Sequence, residues 1–116
     1  MRRTIYLSGP ITGKKDYFEI FDNAADQLLE IDPELIIINP AAMIQVNDDN
    51  LSACDYNRII DIDLSLVTKC DAICLLPEWE SSKGCRRELA AALEEGLDIF
   101  LYNDSELFDK LNKAKE

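Results

Sequence analysis

Four short apolar runs constrain this chain more than any other feature: Thr4-Ile5-Tyr6-Leu7, Leu35-Ile36-Ile37-Ile38, Ala72-Ile73-Cys74-Leu75-Leu76 and Ile99-Phe100-Leu101-Tyr102. They are continuous rather than alternating and rich in isoleucine, the pattern of strands buried on both faces of a parallel sheet. Helical patterns fill the gaps. Asp16 to Glu30 places Tyr17, Phe21, Ala24, Ala25 and Leu28 on one face. Cys54 to Lys69 does the same with Tyr56, Ile59, Ile60, Leu64 and Val67, and Gly84 to Gly96 with Cys85, Leu89, Ala92 and Leu93. A charged last helix is expected over 105–113, and Pro40–Ser52 reads as a connection with one helical turn at Ala41–Ile44. Strand–helix alternation with right-handed crossovers predicts an α/β fold: a flavodoxin-like, doubly wound parallel sheet of order 2-1-3-4 in three α/β/α layers. A length of 116 residues suits one domain spanning 1–116.

The chain carries 12 basic and 23 acidic residues, a net charge of −11. Such a field repels nucleic-acid polymers and anionic membranes, so a small-molecule partner is expected. No apolar run approaches the ~20 residues of a membrane span. Met1 leads straight into a strand-like run, from which we expect no signal peptide and a cytoplasmic location. None of the four cysteines forms a Cys-x-x-Cys pair, so reduced, mostly packed thiols are expected. The absence of histidine excludes histidine zinc sites, Ser-His-Asp triads and Cys-His dyads. Neither a metal nor a cofactor is expected. Proton transfer falls to carboxylates, tyrosine, lysine or cysteine.

In such a sheet, ligands bind beyond the carboxyl ends of strands 1 and 3, where the winding direction changes. That nominates Ser8-Gly9-Pro10-Ile11-Thr12-Gly13 and Pro77-Glu78-Trp79-Glu80-Ser81-Ser82-Lys83-Gly84. Gly9 and Gly13 allow backbone N–H groups to approach an anion, or simply make a strand-to-helix turn. Ser82 caps the next helix, or holds phosphate oxygens as well. Trp79 stacks on a base, or packs as a partly buried loop aromatic. Basic residues 2, 3, 14, 15, 83, 86 and 87 lie in or beside these segments, which reads either as a local cationic rim or as scattered solvated charge.

Two carboxylates stand out. Asp63 interrupts the apolar stripe of Ile59, Ile60 and Val67, where it loses hydration unless paired or used. Glu88 borders the stripe of Cys85, Leu89 and Ala92, one turn into its helix. Paired carboxylates facing a sugar-sized cleft suit glycosidic-bond chemistry.

The stretch Tyr6 through Gly13 resembles the strand-1 signature of the nucleoside 2-deoxyribosyltransferase superfamily. Asp63, Cys70-Asp71-Ala72-Ile73 and Ser82-Lys83-Gly84-Cys85-Arg86-Arg87-Glu88 resemble its second signature. The likeness covers residues 4 to 102 and is strongest to the 2′-deoxynucleoside 5′-phosphate N-hydrolases and an uncharacterised branch of the superfamily. The resemblance implies that Glu88 is the nucleophile at C1′, that Asp63 positions the sugar and assists protonation of the leaving base, and that Tyr6 stands beside them. It implies that Ser82 contacts the 5′-phosphate and that Gly9, Ile11 and Gly13 line the nucleotide site, with Ser8, Pro10, Trp79 and Gly84 as neighbouring substrate contacts. Its implied substrate is a deoxynucleotide or nucleoside. Its implied assembly is a homodimer or higher homo-oligomer, and Ile62, off the core stripe, is free to pack on a partner. The chain departs from relatives at Arg86 and Arg87 and in a longer Pro77–Ser82 loop. The expected reaction is hydrolysis of a 2′-deoxynucleoside 5′-monophosphate. A base-exchanging transferase and a non-catalytic nucleotide-binding module are the alternatives.

Overall fold

The computed structural model describes residues 2–11, 14–43 and 52–115. Thr12, the expected site residue Gly13 and the end of the expected turn at Ile44 lie outside these. Strands β1 (Thr4–Ser8), β2 (Ile36–Ile38), β3 (Ala72–Leu75) and β4 (Asp98–Leu101) form one parallel sheet of order β2-β1-β3-β4. Its register sets Ile5 against Ile37 and Ala72, and Ile73 against Ile99. The helices are α1 (Tyr17–Ile31), α2 (Pro40–Met43), α3 (Ala53–Val67), α4 (Lys83–Glu94) and α5 (Leu107–Lys115). This is the doubly wound α/β fold expected from the strand and helix patterns.

Strand alternation sorts the side chains into two cores. Ile5, Leu7, Ala72, Cys74 and Phe100 pack with Phe21, Ala24 and Leu28 of α1 and with Leu107 and Leu111 of α5. Tyr6, Ile73 and Leu75 pack with Val67 of α3 and Ala92 of α4. Because residues two apart share a sheet face, Tyr6 and Ser8 both project toward α3 and α4. Burial on both faces holds for β1 and β3 but not for the outer strands: Ile36 and Leu101 are exposed because each stands in an edge strand. All four thiols are free. Cys70, Cys74 and Cys85 are buried, and Cys54 is exposed. Among the described residues no helix is long and apolar enough to cross a membrane.

Local chemistry fixes the helices that carry the site. Ser52 caps α3: its hydroxyl accepts from the Asp55 N–H at 3.1 Å, and the Asp55 carboxylate accepts from the Ser52 N–H at 3.2 Å. Ser82 caps α4, accepting from the Cys85 N–H at 3.3 Å. Gly9 brings the loop after β1 close to its neighbours. A Cβ there would lie 3.0 Å from Leu76 Cβ and 3.2 Å from Phe21 Cζ. Neither neighbour is a free surface group, because both sit in the core. Gly9→Ala is therefore expected to destabilise the fold by about 1–3 kcal/mol through overpacking, read as a lower midpoint in urea or thermal denaturation; an unchanged midpoint would contradict this packing.

Candidate active site

The end of β1 and the loop after it, the starts of α1, α2 and α4, the Tyr56–Asp63 stretch of α3 and the Ser81–Ser82 end of the loop before α4 line a cleft of about 460 Å³. That volume is within the usual range for small-ligand sites. Asp63 and Glu88 both line it. Each is buried, at 6% and 5% exposure, which for carboxylates demands a compensating interaction or a task.

Glu88 is not at the border of its helix stripe but inside it. Gly84, Cys85, Glu88 and Ala92 are the buried residues of α4. The close approach of α4 to α3 depends on Gly84, where a Cβ would meet Ile60 Cδ1 at 3.2 Å and the Tyr56 hydroxyl at 3.5 Å. From the sheet below, the Tyr6 hydroxyl donates to Glu88 Oε2, and the Ser8 hydroxyl donates to Oε1 at 2.7 Å. Tyr6 and Ser8 are almost wholly buried, so these donors are held in place by the β1 backbone. Asp63 presents the opposite situation. Its Oδ1 is buried with no hydrogen-bond partner among the described residues. An acceptor orphaned at a cleft wall is placed to meet a donor on a ligand.

Burial governs the proton affinities. Desolvation raises the Glu88 carboxyl to about 7; the donors Tyr6 and Ser8 pull it down, and the nearby Asp63 charge pushes it up. Desolvation alone raises Asp63 to about 6. Both carboxyls thus change charge near neutral pH, where acid–base work is possible without histidine. The Tyr6 phenol is pushed up by burial, then by the Glu88 and Asp63 charges, and stays a proton donor. Burial also raises the Cys85 thiol, so it offers no thiolate nucleophile.

The other expected contacts divide. Gly9, Pro10, Ile11, Ser82 and Gly84 line the cleft. Ser8 acts from beneath, through Glu88. Of the two readings of Trp79, the structure matches the packed loop aromatic: it is not among the cleft's lining residues, and its indole packs half-buried against the Tyr6–Ile73–Leu75 core. That contact buries much of its apolar area. The cationic rim is also smaller than expected. Arg2 and Arg3 precede β1 and so stand at the opposite end of the sheet, where Arg3 pairs with Asp32 at 3.1 Å. Lys14 pairs with Glu78. Lys83 does line the cleft. Sequence patterning did not single out Tyr17, Tyr56, Ile59 and Ile60 as cleft residues, because they belong to the same apolar stripes as the core. Their position in the early turns of helices that start at the carboxyl edge of the sheet was the available signal. Among the described residues no acidic, cysteine or histidine cluster could hold a metal ion.

The family model described as a domain of unknown function (DUF4406) matches residues 3–101. A comparison with curated proteins finds no match. Among solved structures, the chain is similar to a 2-desoxiribosyltransferase from Leishmania mexicana, with a TM-score of 0.59 and 21% identity. That alignment covers 85% of this chain and 63% of the other, so the chain spans less than two thirds of that enzyme. It is also similar to a conserved protein from Enterococcus faecalis V583, with a TM-score of 0.70, 20% identity and coverage of 100% and 76%. These likenesses share the fold.

The raised Glu88 carboxyl carries a stability consequence. Between its ordinary value of 4.5 and about 7 the folded state binds the extra proton, so stability falls as pH rises through that window. Removing the ionisation with Glu88→Gln is expected to stabilise the protein by up to about 3 kcal/mol at pH 8 and to make little difference at pH 4. Denaturation curves across that range check it; a pH-independent gap between the two proteins would contradict it.

Proposed function

We propose that this chain, which belongs to the family described as a domain of unknown function (DUF4406), cleaves the N-glycosidic bond of 2′-deoxynucleoside 5′-monophosphates. The observation that carries the reading is the pairing of two buried carboxylates in one cleft, one hydrogen-bonded by Tyr6 and Ser8 and the other with an oxygen that has no partner among the described residues. The motif resemblance supports it. So does the sharing of a fold with a protein whose name records 2-deoxyribosyl transfer.

Ionised Glu88 is the nucleophile. The two hydroxyl donors stabilise its anion. Because burial raises Glu88 to about 7 and Asp63 to about 6, the reactive form with the proton on Asp63 is the less populated of the two singly protonated arrangements of the pair, reached by moving that proton from Glu88 to Asp63. A Glu88 oxygen attacks C1′ as the C1′–N bond breaks through an oxocarbenium-like transition state. Protonated Asp63 gives its proton to the departing base. The product is a glycosyl ester on Glu88. Water then attacks C1′ with Asp63 taking its proton, the ester C1′–O bond breaks, and 2-deoxyribose 5-phosphate leaves with configuration retained. Ser82, Lys83 and the amides at the start of α4 hold the phosphate.

Wild-type protein incubated with a panel of deoxynucleoside monophosphates is expected to release free base, and Glu88→Ala to lose on the order of 10³-fold or more of that rate. Absence of base from every substrate would reject the reading. Exchange of bases between unphosphorylated nucleosides would favour the transferase, and saturable binding without cleavage the non-catalytic module. The hydrolysis rate is expected to peak where one carboxyl of the pair is ionised and the other protonated, between about 6 and 7. A rate that is flat from pH 5 to 9 would contradict the assigned proton roles.

A further inference from the structure

An ion pair ties together the two segments that frame the cleft. Lys14 ends the first loop, and its N–H donates to the carbonyl of cleft-lining Ile11 at 3.1 Å. Glu78 stands in the second, and its carbonyl accepts the hydroxyl of cleft-lining Ser81 at 2.9 Å. The side chains of Lys14 and Glu78 meet across the gap. Glu78 has a φ of 68°, the left-handed region that disfavours any residue with a Cβ. Glycine or asparagine would fit that backbone better, so a glutamate there points to use of its carboxylate. The lining of the cleft supplies two acids and one described base, Lys83, which is a poor balance for a dianionic ligand. Lys14 does not line the cleft but is one hydrogen bond from cleft-lining Ile11, so it is a cation placed to improve that balance, and Glu78 holds it.

We propose that Glu78 is a specificity-determining residue: an internal counter-anion on Lys14 that a ligand's phosphate dianion displaces. This rests on the reading of the cleft as a phosphate-bearing nucleoside site. Glu78 is 60% exposed, and ion pairs that exposed are weak, so exchange is feasible. A dianion gains more from Lys14 than a carboxylate does, whereas a weakly charged anion gains no more than Glu78 already provides. Glu78 thereby lowers affinity for anions in general and favours those of higher charge.

The test uses inorganic phosphate as probe, with affinity measured by calorimetry on the wild type, Glu78→Gln, Lys14→Gln and the double variant. Glu78→Gln keeps the side-chain size at an exposed position, so folding is preserved. It is expected to tighten phosphate binding about 2- to 5-fold, and this gain is expected to shrink markedly in the Lys14→Gln background. Unchanged phosphate affinity in Glu78→Gln, an equal gain without Lys14, or no measurable phosphate binding in any of the four would each overturn the proposal. Base release from deoxynucleotides is assayed separately. The phosphate pattern without base release would remove the hydrolase reading alone, and base release with indifferent phosphate affinity would remove the role of Glu78 alone.

Discussion

The cost of burying Glu88 beside Asp63 organises this protein. A carboxylate removed from water prefers to be neutral, and a second carboxylate nearby reinforces that preference. Here the cost is partly offset by two hydroxyl donors on Glu88, while Asp63 keeps an oxygen without a partner among the described residues. The result is a pair whose charge is set near neutral pH by desolvation opposed by hydrogen bonds.

The fold supplies each part of that balance. Alternation along β1 turns Tyr6 and Ser8 toward the same layer, and the central position of β1 in the sheet keeps both out of water. Capped starts fix where α3 and α4 begin, and therefore which residues face the sheet. Gly84 lets the two helices approach, so that Asp63 and Glu88 share one hollow instead of lining two. A parallel sheet whose winding reverses beside β1 leaves that hollow open at its carboxyl edge. Function in this reading is the use of a strain that the fold already contains.

How much of this the residues announce depends on what each pattern measures. Isoleucine runs separated by amphipathic helices report burial and period, and these suffice for element type and strand order. That order makes β2 and β4 the edges, yet their apolar runs look like those of the inner strands, so the runs themselves carry no sign that Ile36 and Leu101 are exposed. Asp63 was conspicuous because a carboxylate inside an apolar stripe needs an explanation. Glu88 was less so: a glutamate on a helix is ordinarily solvated, so its place beside the stripe and its pairing with Asp63 only nominated it, and the resemblance of the surrounding motif supplied the role of nucleophile. Tyr17 and Tyr56 look the same as core residues, since apolar periodicity does not separate a packed interior from a cleft wall. Trp79 shows the reverse, an aromatic in a nominated loop that packs inward. Arg2 and Arg3 misled because adjacency to β1 in sequence ignores its direction. Five residues of strand span about 16 Å, enough to carry them to the far edge of the sheet.

The central claim is that the Glu88 carboxylate forms a bond to the sugar. Acid quenching of the wild-type protein during turnover of a deoxynucleoside monophosphate, followed by peptide mass mapping, tests it directly. The account predicts a 2-deoxyribosyl 5-phosphate adduct on the peptide containing Glu88, at the glutamate itself. Steady release of base with an adduct at another residue would contradict it.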